Sequence, residues 1–479
     1  MNKPVSLCEL MKSHGEYPFI ITNEKGWTFS ESVEYIQFLM EYFRNSEIRG
    51  GTKFAILCYP TLKVIFTLFA LFEMGKEILL LNPKEPQNSV NSILKETGCD
   101  GMVFDENEKN NFPENISTYP IPSISDNRNI STTESNQIDV EKPATIIRTS
   151  GSSGNPKYAV HSLKNHFASA NSSNSIIPFG HNDVWSLSLP LYHVSGLSIL
   201  FRAVAYGGGV RIKERKESLI SLIEDKLVTH VSLVDTQLKQ LLDDEKTASQ
   251  FTEFKCVLAG GGPVSVKTRE ACQLRGIPLR VTYGNTEMAS QITTTASSHD
   301  HILPNVAGKV LSHCNVKIAD DGEILVKGES SFLGYLEKGG LVDPKDYEGF
   351  FATGDIGKIE DENLYVFGRK DLMIISGGEN INPEELENTA LELETVKLAR
   401  VVPVSDNIYG QRPVMFVDMD GDKIENRIFS YLKKILLRYQ LPIRILKIPA
   451  ELKMNEMGDV NRLKLIKIAE EKVNSKLLL

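Results

Sequence analysis

Residues 143–157 read "PATIIRTSGSSGNPK". An apolar, β-branched run, the composition of a strand, gives way to serine, threonine and glycine and closes on a lysine. Small residues let backbone N–H groups and hydroxyls come close to phosphate oxygens, and a lysine adds positive charge. Thr149, Ser150, Gly151, Ser152, Ser153, Gly154 and Lys157 are therefore candidate phosphate ligands. The pattern GxxxxGK[ST] is absent, so this is not a Walker loop. On this stretch alone, a flexible loop with no ligand stays open.

The same strand signature recurs on either side. "KFAILCYP", "EILLLN", "GMVFD", "DVWSLSLP", "GGVRIK", "HVSLVD", "FKCVLAG" and "PLRVTYG" are short apolar runs, many separated by helix-length segments. That alternation predicts an α/β protein with parallel sheets built from βαβ units. Residues 106–142, rich in Asn, Ser, Thr, Glu and Pro, read as a mostly exposed connection. Their N-x-S/T matches at Asn115 and Asn129 are read as chance. After Ser312 the pattern turns to hairpins, in "NVKIADDGEILVKG" and "GKIEDENLYVFGR". From Asp371 a new unit begins, in which Asn382 and Pro383 ahead of "EELE" form a helix start. The expected domains are 1–369 and 370–479.

A chain of 479 residues is too long for one compact core. Its net charge of −9 argues against a general nucleic-acid binder. Six scattered cysteines with no CxxC pair fit reduced thiols. The N-terminus lacks a long apolar run of the signal-peptide kind, and Val64–Phe72 is too short to span a bilayer. The expectation is a cytoplasmic protein without stable membrane insertion.

Other stretches carry chemistry. "LAGGGPVS" puts Gly260, Gly261, Gly262 and Pro263 after a strand, where bare backbone could lie flat against a planar group. "VTYGNTEM" offers the ring of Tyr283, the small Gly284, the hydroxyl of Thr286 and the carboxylate of Glu287. A carboxylate beside a triphosphate suits Mg²⁺, which prefers oxygen ligands. "FATGDIG" sets Asp355 at the expected end of a strand, able to accept hydrogen bonds from ribose hydroxyls. "GRKD" supplies Arg369 and Asp371 at the boundary. Each piece alone is as readily structural.

In their order and spacing they resemble the adenylate-forming superfamily of acyl-CoA synthetases, peptide-synthetase adenylation domains and luciferases. "TSGSSGNPK" is similar to its phosphate loop, "YGNTE" to its adenine and magnesium segment, "TGD" to its ribose-binding aspartate and "GRKD" to its hinge. The resemblance implies a large N-terminal domain of sheets flanked by helices, with a β-barrel-like subdomain, and a small mobile C-terminal α/β domain turning about Asp371. It implies ATP, Mg²⁺ and CoA as reactants. A carboxylate attacks the α-phosphate of ATP, giving an acyl-adenylate and pyrophosphate; after rotation a thiolate attacks the adenylate. It also assigns Ser376, Gly377, Gly378 and Glu379 to the pantetheine tunnel, and Thr286 and Glu287 to catalysis with His193. Ser153 stands where threonine is usual, and Arg148 precedes the loop with no assigned role.

"LSLPLYHVSGLSILFRAVAY" resembles the o-succinylbenzoate–CoA ligases of menaquinone biosynthesis. That resemblance puts His193, Ser195 and Arg202 at the acyl group, with Arg202 on the substrate's second carboxylate. A dicarboxylate needs a cation for its unreactive end, and arginine binds carboxylate bidentately. Arg202 could instead snorkel or pair with a local acid. Another aryl or acyl carboxylate, or a nucleotide-binding protein without useful turnover, are the alternatives.

"MNEMGDVNR", residues 454–462, departs from the family. Its adenylation lysine follows a glycine, but here Gly458 is followed by Asp459. Losing one transition-state donor costs about 10²–10³ in rate. A like charge ~4 Å from a phosphate opposes by roughly 4 kcal/mol at an effective dielectric near 20. Three readings stay open: Lys453 or Lys464 substitutes; the enzyme adenylates slowly but keeps the thioester step; or the chain binds nucleotide without useful turnover.

Overall fold

The computed structural model describes residues 6–46, 48, 50–106, 116–123, 137–149, 156–214, 217–295, 303, 305–419, 424–449, 452 and 460–474. Ser150, Gly151, Ser152, Ser153, Gly154, Lys453 and Asp459, and the sequon residues Asn115 and Asn129, lie outside them.

The apolar runs form the strands Lys53–Leu57, Glu77–Leu81, Gly101–Phe104, Pro143–Thr149, Val184–Leu187, Gly209–Ile212, His230–Leu233, Cys256–Ala259 and Leu279–Asn285. Glu77–Leu81, Lys53–Leu57 and Gly101–Phe104 run parallel at the heart of an eight-stranded sheet, with Pro143–Thr149 parallel beside them. Between the first two strands lies the helix Leu62–Glu73, apolar almost all round and buried from Val64 to Glu73.

A second sheet of thirteen strands has two halves. From Cys256–Ala259 through His230–Leu233, Val184–Leu187 and Gly209–Ile212 to Pro18–Ile21 the strands are parallel. Val184–Leu187, His230–Leu233 and Cys256–Ala259 are buried at every residue, as strands covered on both faces must be. Leu279–Asn285 is the junction: it pairs parallel with Cys256–Ala259 and antiparallel with Ser290–Thr294. Beyond it the antiparallel half, including the hairpins Cys314–Ile318/Glu323–Gly328 and Phe351–Glu360/Asn363–Arg369, supplies the barrel-like subdomain.

A third sheet holds Ile374–Ser376, Glu379–Ile381, Gly410–Met419, Val396–Asp406 and Arg444–Lys447. The helices Pro383–Leu391 and Ile424–Ile435 share one apolar cluster with it, around Ile374, Leu386, Met415 and Ile428. The helix Arg462–Asn474 joins a second, around Val402, Phe416, Leu465 and Ala469. The buried members of both clusters lie between Ile374 and Ala469. Asn382 caps Pro383–Leu391 through its side chain, with Pro383 opening the first turn, as expected.

Two expectations are corrected. The segment 106–142 is not merely a connection, because Ser117–Pro120 adds a parallel edge strand beside Gly101–Phe104 and Ile121 is buried. Asp355 lies inside the ten-residue strand Phe351–Glu360 rather than at its end, because pairing with Asn363–Arg369 continues past it through an irregularity at Ile356/Gly357. All six cysteines are free. Among the described residues, no helix is long and apolar enough to cross a membrane.

Candidate active site

The junction strand positions the site. Leu279–Asn285 ends in "TYGN" and turns into the short helix Thr286–Met288. The chain then doubles back through Ala289 and Ser290, both at positive φ (51° and 134°). A β-carbon on Gly284 would lie 1.8 Å from the Ser290 carbonyl oxygen, so only glycine fits inside this reversal. Asn285 closes the turn by accepting from the Met288 N–H at 2.9 Å. His161 Nε2 donates to the Thr286 carbonyl at 2.7 Å. Burial pushes the His161 imidazole down to about 4, so it stays neutral in that role.

Tyr283, Asp355, Arg369 and Asp371 come together as one chain of polar contacts. The Tyr283 hydroxyl donates to Asp355 Oδ2 at 2.6 Å. Arg369 Nη1 donates to the Thr353 carbonyl at 2.9 Å and lies 3.4 Å from Asp355 Oδ1. Arg369 Nε donates to Asp371 Oδ1 at 3.0 Å. Burial raises the Asp355 carboxyl, opposed by the Tyr283 hydrogen bond and the Arg369 charge. Gly354, at φ +73°, leaves room for the guanidinium, which a β-carbon there would meet at 2.7 Å. Gly260 packs on Thr282, while Gly261, Gly262 and Pro263 are exposed, leaving that backbone open beside Leu279–Asn285.

Glu287 has a partner that the sequence did not disclose. Tyr335 donates its hydroxyl to Glu287 Oε1 at 2.6 Å, and Lys157 Nζ stands 4.7 Å from the centre of the Tyr335 ring. Tyr335 comes from the hairpin strand Gly334–Glu337, which pairs with Lys157–Ser162. Lys157, a candidate phosphate ligand, and the candidate magnesium carboxylate Glu287 therefore meet across one aromatic ring. The second oxygen of Glu287 has no hydrogen-bond partner among the described residues. A cation-binding role fits that open oxygen.

His193 caps the helix Val194–Tyr206, against the Tyr192 ring. Its imidazole is lowered by burial. Gly196 fits beneath because a β-carbon there would meet the Pro190 carbonyl at 2.2 Å. Arg202, on the same helix, does not snorkel, and among the described residues it pairs with no acid. It is 2% exposed, donates from Nη2 to Gln291 Oε1 at 2.8 Å, and has its guanidinium carbon 4.8 Å from the centre of the Trp185 ring. Burial lowers it to about 10, so it remains a cation at neutral pH. Arg202 Nε and Ser195 Oγ are both buried without a hydrogen-bond partner among the described residues. Two helical turns separate them, so they share one helix face. That donor set fits an anionic group entering from outside the chain.

Ser376 is buried, and Gly377 and Gly378 turn with φ of +60° and +88°. The Gly377 N–H donates to the Tyr409 carbonyl at 2.8 Å, and Glu379 is exposed. This loop belongs to the third sheet and is a separate cluster from the residues around Asp355. His161 and Tyr335 are the residues the sequence reading missed. An isolated tyrosine in "SFLGYLEKGG" carries no local signal, and His161 in "KYAVHS" reads as an ordinary strand residue.

Comparison with known proteins agrees with this arrangement. Residues 9–336 match the AMP-binding enzyme family. The 2-succinylbenzoate–CoA ligase of Bacillus cytotoxicus is 32% identical over 467 residues, spanning 95% of this chain and 96% of the relative. The o-succinylbenzoate CoA synthetase (MenE) of Bacillus subtilis, solved with the acyl-adenylate intermediate OSB-AMP, superposes with a TM-score of 0.86 at 27% identity, covering 97% of this chain and 98% of that one. The same synthetase with ATP and magnesium ion gives a TM-score of 0.83 at 28% identity, covering 96% and 99%. With more than half its length matched, this chain belongs to the AMP-binding enzyme family.

Proposed function

We propose that this protein is an AMP-forming acid–CoA ligase that converts o-succinylbenzoate to o-succinylbenzoyl-CoA, a step of menaquinone biosynthesis. Small molecules are its partners: a dicarboxylate, ATP and CoA. The observation that carries the substrate reading is Arg202, a buried cation with no carboxylate partner among the described residues and with an open Nε on the helix face that also carries the open Ser195 hydroxyl. A monocarboxylate would leave that charge buried and unanswered, which costs several kcal/mol. A dicarboxylate answers it with its unreactive end. Relatives and solved structures named for this acid support the same choice.

In this reading the chain has two domains, 1–369 and 370–479, with the hinge at Asp371. The phosphate loop from Thr149 to Lys157 holds the polyphosphate. Gly260–Pro263, Tyr283, Gly284, Asp355 and Arg369 hold the adenosine. Bound Mg²⁺ neutralises phosphate charge, with Glu287 as its protein ligand and Tyr335 orienting that carboxylate. Thr286 and His193 face the reacting acyl phosphate. Ser376–Glu379 line the approach of CoA after rotation. Asp459 leaves adenylation slow, because no cation at that position bridges the carboxylate and the α-phosphate. The thioester step, which runs in the rotated state, is retained. Arg462 does not replace the lysine: its guanidinium is committed to Glu387 at 2.7 and 3.0 Å.

Arg202→Ala tests the substrate reading. The KM for o-succinylbenzoate should rise by roughly 30-fold or more, the loss expected when one partner of a buried charge pair is removed. The KM for ATP should stay within about twofold. A parallel rise in both would remove the dicarboxylate argument.

A further inference from the structure

Pro143–Thr149 and Lys157–Ser162 form the stem of the hairpin that carries the candidate phosphate ligands Thr149 and Lys157, and their last pairs in register are Arg148 with Tyr158 and Thr149 with Lys157. These two pairs lie past the register of the neighbouring strands, with Tyr158 buried. The neighbour on one side, Glu77–Leu81, pairs no further than Ile147, and the neighbour on the other, Gly334–Glu337, no further than Ala159. Past those points no outer strand among the described residues fixes the hairpin stem.

Side chains do so instead. Paired residues share a face, and successive residues alternate. Lys157 reaches over Tyr335 beside Glu287, so the Thr149–Lys157 pair lies on the side of the site. Arg148 and Tyr158 point the other way, where they meet two carboxylates at opposite ends of one helix, Gln87–Thr97: Glu85 just ahead of it and Glu96 within it. Arg148 Nη1 donates to Glu85 Oε1 at 2.8 Å, one residue before the Pro86 cap. Tyr158 donates its hydroxyl to Glu96 Oε2 at 2.8 Å, in the last turn. Each carboxylate is held in turn, Glu85 by the Ser89 hydroxyl and Glu96 by the Ser92 hydroxyl. One helix therefore grips both strands of the stem, one at each of its ends.

We propose that Arg148 and Tyr158 are positioning residues for the polyphosphate of ATP. By fixing the two strand ends from behind, they set where Thr149 and Lys157 meet the phosphates. The inference rests on the nucleotide reading above and assigns a role to an arginine whose side chain meets Glu85 on the face away from Lys157.

The test is calorimetric titration of MgATP and of AMP into the full-length protein, Arg148→Met, Tyr158→Phe and the swap Arg148→Glu/Glu85→Arg. It needs no turnover, so slow adenylation does not obscure it. Arg148→Met should weaken MgATP binding roughly 10- to 100-fold, as a displacement near 1 Å does for a positioned group. AMP, which lacks the β- and γ-phosphates, should change by less than about twofold, because the adenosine contacts lie elsewhere. The swap should recover most of the loss. Tyr158→Phe removes one hydroxyl and should give a smaller effect with the same split, deciding the matter if Arg148→Met fails to fold. Unchanged MgATP affinity, or equal losses for MgATP and AMP, would overturn the proposal. A parent protein that binds neither nucleotide would overturn the nucleotide reading itself, and this inference with it.

Discussion

The carboxylate of Glu384 sits against Gly368, where a β-carbon would meet its carboxyl atoms at 3.0 Å. Burial, with Glu387 and Asp355 nearby, raises it to about 7 against the pull of Arg462 and Arg400. The folded protein thus keeps a proton that the unfolded chain, with an ordinary value of 4.5, has already lost. Between those values stability falls as pH rises. Glu384→Gln should remove that dependence. Its Tm advantage over the parent should widen from pH 5 to pH 8, measured by thermal scans across the range. A constant difference would show that the carboxyl ionises freely. In the sequence Glu384 reads only as a favourable acid in a helix's first turn. Its burial depends on a strand end sixteen residues earlier, which no local pattern records. Arg202 was legible as unusual, a cation in an apolar helix, but its partners Gln291 and Trp185 were not.

Elements were the most legible scale, because alternating apolar runs and turn chemistry act locally. The hairpin at Asp321-Gly322 forms with Gly322 at φ +84°. The companion hairpin turns through Asp361 and Glu362 at φ 48° and 65°, a backbone that glycine or asparagine usually takes. The helix Arg462–Asn474 is tied to Pro383–Leu391 by a less visible device. Arg462 places both terminal nitrogens on Glu387, which also accepts from the Val401 N–H at 2.7 Å. Glu387→Ala should destabilise this region by about 3–5 kcal/mol in denaturant unfolding, because it strands a largely buried guanidinium. A loss below ~1 kcal/mol would mean that water replaces the carboxylate at no cost. That contact spans seventy-five positions, and the sequence shows only an arginine at the start of a lysine-rich helix.

At the scale of the whole molecule, the motifs succeed because they converge. Tyr283, Asp355, Arg369 and Asp371 are dispersed over nearly ninety positions and form one connected set. Their types and order are legible in the sequence, but not the junction strand that gathers them or the tyrosine that links Glu287 to Lys157. Those arise from pairing between distant strands, where register is set by the whole sheet. The proposed ligase for o-succinylbenzoate, slowed by one misplaced charge, can be tested by pyrophosphate release with MgATP and o-succinylbenzoate, comparing the protein with Asp459→Lys. Release should depend on o-succinylbenzoate in both, and run about 10²–10³-fold faster with lysine. Equal rates would contradict the role given to Asp459, and no release from either would contradict the ligase.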